Sequence, residues 1–268
     1  MKKIIVFLTI FAFSLIPFAV FSFASDISAF TEDIADPLYQ PGTGKIMSDF
    51  AASQSFYKMQ GSSGKFRTFI LQEDLSYGIS DQFAVTAGLQ RVGGKVQNFH
   101  FSGKDHYSYK NIWDIGLKFR IIPSDCFTLG LQGHYKNVQS ERSAGEDTDG
   151  IYGSARLSYS YEIADPFLEL SYIRDFKEGD NVARGGISLG VFKDFGTYSG
   201  LLNIYRSHIT GSSHLISYGI GAMGYYKFTE SFAVGLGIET HLKSRDSDEK
   251  YSEIDNAITF KFGIKAVF

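Results

Sequence analysis

Cysteine is nearly absent. Cys126 stands alone, so no intrachain disulfide can form, and a lone thiol is accommodated as a small apolar side chain. Proline occurs 5 times and tryptophan once. No cluster of Lys or Arg breaks an acidic balance (formal charge -3), which argues against nucleic acid as a partner. Beyond the first residues no apolar run is long enough for a membrane-spanning helix, so a helical membrane protein is excluded. His100, His106, His134 and His241 are scattered without metal-ligand spacing. Neither a metal nor a cofactor is expected.

What is present is alternation. From Ala257 to Phe268 the residues Ile258, Phe260, Phe262, Ile264, Ala266 and Phe268 share one parity, while Thr259, Lys261, Gly263 and Lys265 occupy most of the other. Strand side chains alternate between faces, so this is a ribbon with one apolar and one polar side. The 28 Gly, 25 Phe and 16 Tyr, at a mean hydropathy of -0.07, fit alternating strands better than helices. Tight acidic turns recur at Ile79–Phe83, Pro123–Phe127, Ile163–Phe167, Lys193–Gly196 and Thr229–Phe232, with aromatics beside most of them. Longer polar loops alternate with them, from Lys58–Lys65 through Gly93–His106 and Ser140–Gly150 to Arg245–Glu253. Five turns and six loops predict twelve antiparallel strands, each long enough to cross a bilayer at a tilt. Strands eight and nine are the least regular, so ten or fourteen strands stay open.

The chain end resembles the C-terminal signature of bacterial outer-membrane β-barrels, carried here by Lys261, Gly263, Ala266 and Phe268. The turn at Tyr77–Asp81 resembles those of outer-membrane transporter-like barrels. The resemblance implies a transmembrane up-and-down β-barrel with short periplasmic turns and longer extracellular loops. It also implies lipid contact and recognition of Lys261, Gly263 and Phe268 by the barrel-assembly machinery. At the other end, Lys2 and Lys3, an apolar run from Ile4 to Val20 and a small-x-small exit at Ser22–Ala24 read as a secretory signal peptide over residues 1–24, cleaved after Ala24. An uncleaved anchor is the alternative. Residues 25–44 form an N-terminal extension with Asp26, Glu32, Asp33 and Asp36 but no base. It reads either as a periplasmic tail or as a segment folded into the barrel mouth through Leu38 and Tyr39. The barrel itself is expected over residues 45–268.

Parity places Asp74, Asp114, Lys118, Arg120, Lys136, Arg156, Glu162 and Glu169 on the inner face. It does the same for Arg184, Lys227, Glu239, Lys243, Lys261 and Lys265, with Tyr152, Phe192, Tyr205, Met223 and Tyr225 narrowing the lumen. Such charges can simply pair with one another. Their modest excess of bases would otherwise favour anions. Glu73 sits between outward Leu71 and Leu75, so either a bulge turns it inward beside Asp74 or it lies near a rim; the bulge is expected. A monomeric, weakly selective channel for small polar solutes is the expected function, and an occluded structural barrel the alternative. A lipid hydrolase using His208 or His214 with Ser207, Ser212 or Ser213 lacks a nearby acid to orient the histidine, so no catalysis is expected.

Overall fold

The computed structural model describes residues 33–59, 65–97, 106–124, 126–141, 147–176, 181–210, 215–246 and 254–268. The leader and the first part of the extension lie outside the described residues. Twelve strands follow in chain order: β1 (Ile46–Met59), β2 (Lys65–Ser80), β3 (Phe83–Gln97), β4 (His106–Ser124), β5 (Phe127–Glu141) and β6 (Thr148–Tyr159), then β7 (Asp165–Phe176), β8 (Asn181–Asp194), β9 (Tyr198–Thr210), β10 (Leu215–Thr229), β11 (Phe232–Asp246) and β12 (Ile254–Val267). Each pairs antiparallel with its sequence neighbours, and β1 pairs with β12 to close the barrel. Several strands run further into the polar stretches than the sequence suggested. Gly93–Gln97 belongs to β3 and Ser207–Thr210 to β9. All five short turns lie on one side of the barrel and the longer connections on the other, called here the turn side and the loop side.

The seam shows why the chain end matters. Its register runs from Met47↔Val267 toward the loops, and the Ile46 and Phe268 main chains exchange hydrogen bonds of 3.1 and 2.8 Å. Without this pairing two strand edges would lie open in hydrocarbon, where no water can satisfy them.

The two faces differ as the alternation requires. Trp113, Ile115 and Leu236 are 53%, 63% and 69% exposed, an outward apolar band suited to lipid and not to water. Near the turns, rings pair across strands: Phe83 with Phe119 at 4.6 Å, Phe127 with Tyr159 at 5.0 Å and Tyr198 with Tyr226 at 5.2 Å. This is an aromatic girdle at a membrane interface.

Glu73 departs from expectation. The β2 register passes through it unbroken on both sides, as Phe50↔Glu73 and Glu73↔Leu89, so there is no bulge and the carboxylate stays on the outward face. There it accepts a hydrogen bond from Ser48 Oγ at 2.6 Å, which supplies a local partner that neither sequence reading contained.

Two outcomes are expected. Glu73→Leu should stabilise the barrel by about 1 kcal/mol, because a charge on the lipid face is unfavourable; urea unfolding in lipid vesicles measures it, and a loss of stability would show that the Ser48 bond dominates. Deleting Phe268 removes half of the terminal hydrogen-bonded pair, so the heat-modifiable folded band on unboiled gels should fall several-fold. Unchanged yield would refute a role for this residue in closure or assembly.

Candidate functional site

The lumen is entered from the turn side by the chain itself. Residues 33–41 fold into the barrel before β1 begins, and Ile34, Ala35 and Pro41 are fully or almost fully buried. The local sequence explains the compact shape. Asp33 Oδ1 accepts from the Ala35 N–H at 2.9 Å, and Asp36 Oδ1 from the Leu38 N–H at 2.7 Å. The Asp36 and Tyr39 N–H groups donate to the Asp33 and Asp36 carbonyls, each at 2.9 Å. These are successive Asx-type turns, for which Asp is well suited and Pro37 is no obstacle.

The barrel wall receives this plug through charge and shape. Lys227 Nζ lies 3.0 Å from Asp33 Oδ2 and 2.7 Å from Asp194 Oδ1, tying the plug to the end of β8. Ser199 Oγ donates to the same Asp33 oxygen. Asp36 lies within the fields of Arg156 and Lys265. Gln40 Nε2 donates to the Lys118 carbonyl at 3.5 Å. Two glycines make the room: a Cβ at Gly130 would lie 2.3 Å from Leu38 Cδ2, and one at Gly78 would lie 2.2 Å from the Gly42 carbonyl oxygen. Leu38 thus anchors the segment. Between it and Gln132, Arg156 and Glu169 only a pocket of about 70 Å³ remains, whereas a cavity of about 940 Å³ lined by Asp33, Tyr39, Gln40, Lys45, Asp194 and Lys227 opens at the turn side.

The predicted inner residues are mostly drawn into pairs. Arg156 holds Glu169 through Nε at 2.8 Å and lies 4.3 Å from the Phe167 ring centroid. Lys136 meets Asp175 at 2.6 Å, Asp114 meets His134 at 2.8 Å, and Lys265 lies 3.7 Å from Asp49. Lys261 pairs with Glu239, which also accepts from Tyr205 OH at 2.8 Å. Lys118 Nζ donates to Ser76 Oγ at 3.4 Å, Arg120 donates to the Asp81 carbonyl at 3.2 Å, and Asp74 accepts from Gln72 at 2.5 Å. Arg184 stands exposed toward the loops, near enough to His241 for their charges to interact.

One assignment needs correction. Glu162 does not line the lumen: it is exposed in the turn at 160–164, and its carbonyl accepts from Lys193. The side chain of Lys243, which parity places inward, lies outside the described residues. Sequence reasoning also missed Asp49 and Asp175, although both share the inner parity of their strands. With Asp33 they offset part of the apparent excess of bases.

At the loop-side rim, Ser207 and His208 are consecutive in β9 and so project to opposite faces, which denies them a shared catalytic geometry. Ser212, Ser213 and His214 lie outside the described residues.

These features define a class: a closed twelve-stranded antiparallel barrel with a lipid-facing exterior and a charged lumen occupied by its own N-terminal segment, the fold of outer-membrane β-barrels. No protein-family model matches the sequence, and no curated protein matches it closely enough to be informative. Solved structures do. An outer-membrane channel from Pseudomonas putida F1 superposes with a TM-score of 0.68 at 11% identity, covering 87% of this chain and 100% of that one. The transport unit of the autotransporter AIDA-I from Escherichia coli gives 0.52 at 14% identity, covering 90% and 94%. The β domain of the Bordetella autotransporter BrkA gives 0.51 at 12%, covering 85% and 100%. At these identities the likeness is one of fold.

The plug carries a pH dependence. Asp36 lies outside the spanning strands, and burial pushes its carboxyl up to about 6 from 3.8, against the Leu38 N–H and the charges of Arg156 and Lys265, while Asp33 nearby adds to the rise. A carboxyl that ionises less readily when docked than when free binds its proton more tightly in the docked state. Docking therefore strengthens as pH falls through about 6 toward 3.8 and is weaker above that window. In planar bilayers the full-length protein should conduct less at about pH 5 than at about pH 7.5, and Asp36→Asn should remove most of the difference. A conductance that rises on acidification in the native protein would contradict this sign.

Proposed function

We propose that the protein is an outer-membrane channel for small polar solutes, closed at its periplasmic mouth by residues 33–41. The observation that carries this reading is the contact of Asp33 with Lys227 and Ser199. There an acidic segment is tied to a lumen base that the wall already partners through Asp194. Polar and charged groups on the rest of the inner face, including Asp114, Gln132, Glu239 and Lys261, supply the water-like wall a hydrophilic solute requires. The turn side is assigned to the periplasm because the short turns, residue 33 and Phe268 lie there. The similar structure from Pseudomonas putida is described as a channel, which agrees in kind. In this reading the chain is exported by its leader, inserted by the barrel-assembly machinery and functions as a monomer.

A second reading is a structural barrel with a permanently filled lumen. The full burial of Ile34 and the matching of interior charges favour it. Deleting residues 25–40 separates the two. The channel reading expects the truncated protein to conduct more than the full chain, most clearly at low salt, where the ion pair that seats the plug is least screened, with folded yield unchanged. Equal conductance in both would reduce the segment to a fixed filling, and no conductance in either would leave the structural barrel.

A further inference from the structure

One row of the sheet runs from β1 to β7 through inward charges and two glycines. Its register is Asp49↔Asp74, Asp74↔Gly88, Gly88↔Asp114, Asp114↔Lys136, Lys136↔Gly150 and Gly150↔Asp175. Each glycine leaves a saddle over which its two flanking side chains lean together. Over Gly150 the flanking charges are opposite, and Lys136 crosses the saddle to pair with Asp175 at 2.6 Å. Over Gly88 both are carboxylates. An added Cβ there would stand within 2.5 Å of both Asp114 Oδ2 and Asp74 Oδ1, so these two oxygens close on one small space.

The remaining oxygens are already taken, Asp114 Oδ1 by His134 Nδ1 at 2.8 Å and Asp74 Oδ2 by the Gln72 amide at 2.5 Å. Such supports orient each carboxylate and leave its second oxygen turned over the glycine. Among the described residues neither Asp74 Oδ1 nor Asp114 Oδ2 has a hydrogen bond or an ion pair. Lys118 lies within the fields of both, but its Nζ is held at Ser76 Oγ, 3.4 Å away, and pairs with neither. One ammonium facing two carboxylates leaves the pair short of one positive charge. Like charges held this close in a confined lumen repel more strongly than in bulk water. The inward neighbours of Gly88 on β3 add oxygens. Thr86 is only 3% exposed, and its hydroxyl reaches just His134 Nδ1, at 3.5 Å, a nitrogen already given to Asp114. Gln90 donates its amide to Gln72 at 3.2 Å, which leaves its own oxygen without a partner among the described residues.

We propose that the ammonium group of a small organic cation binds over Gly88, between Asp74 Oδ1 and Asp114 Oδ2. An ammonium offers three N–H donors and forms charge-assisted bonds to carboxylate of about 2.7–2.9 Å. It also brings the single positive charge that the pair lacks. Ca2+ takes about six to eight oxygens, more than this wall presents. In the channel reading, on which this substrate class rests, the lumen then favours cationic solutes over the anions that a count of inward bases suggested.

Saturation-transfer NMR on the folded full chain in a non-ionic detergent tests this with putrescine and its neutral isostere 1,4-butanediol. The native protein should bind the diamine at least about tenfold more tightly than the diol. Asp74→Asn and Asp114→Asn keep the side-chain shape and should each cut that preference at least about fivefold. Gly88→Ala keeps every charge but wedges the two carboxylates apart, and should remove the preference as well. Glu73→Gln, on the lipid face of the same strand, should leave it unchanged. The heat-modifiable band checks folding, and the isosteric Asn variants decide the outcome if Gly88→Ala does not fold. Equal binding of diamine and diol by the native protein would overturn the proposal, as would a preference that survives both Asn substitutions. A preference lost in the Asn variants but intact in folded Gly88→Ala would reveal diffuse lumen charge and overturn the site. Binding is read without any current, so a protein that binds but does not conduct keeps the site and loses the channel reading. One that conducts but does not bind loses the site.

Discussion

Every main-chain polar group in a bilayer must find its partner inside the protein, and for a strand the only complete solution is a closed sheet. The pairing of β1 with β12 meets that demand, and the other features follow from it. Closure forces alternate side chains into a shared interior, so the chain must supply an inner face able to tolerate confined charge. It forces the other set into lipid, where Ile115 and Leu236 are suited and Glu73 is not. Glu73 persists because Ser48, its diagonal neighbour across the β1–β2 ladder, offers a hydroxyl on the same face.

Inside, the governing consideration is that charges removed from bulk water need partners at short range. The barrel supplies them mostly between neighbouring strands, as in Arg156 with Glu169 and Lys261 with Glu239. Lys227 is different. It takes one carboxylate from the end of β8 and a second from a segment outside the barrel sequence, so the plug is held by a base that the wall already partners.

Much of this was legible beforehand, and the failures have physical causes. Periodicity revealed the strands and faces because lipid on one side and water on the other impose an alternation, which β12 follows from Ile258 to Ala266. Turn chemistry fixed the hairpins because Asp and Ser close short turns with their own side chains. Parity failed where a strand ended sooner than assumed, at Glu162. It was over-cautious at Glu73, where a hydroxyl on the next strand made a bulge unnecessary. The plug could not be settled from local sequence: Asp-rich turns suit a solvated tail equally well, and Lys227, Ser199, Arg156 and Gly130 converge on it only once the sheet has closed.

The way the plug is held bears on whether it can leave. The main-chain hydrogen bonds described within residues 33–41 are internal to the segment, at Asp33, Asp36 and Tyr39, and form no ladder with any strand. Its ties to the wall run through side chains: Asp33 to Lys227 and Ser199, Gln40 to a carbonyl, and Leu38 in the space that Gly130 leaves. Removing it would break no barrel pairing and open no strand edge to hydrocarbon. Keeping it ordered must offset about 1–2 kcal/mol of backbone entropy per residue, and the burial of Ile34, Ala35 and Pro41 contributes to that. A filling meant only to stiffen the barrel would gain by pairing with a strand. This one keeps its own turns and is joined to β1 through Gly44, whose positive φ of 77° lets the chain reverse at the mouth. Its departure would leave every strand of the barrel paired.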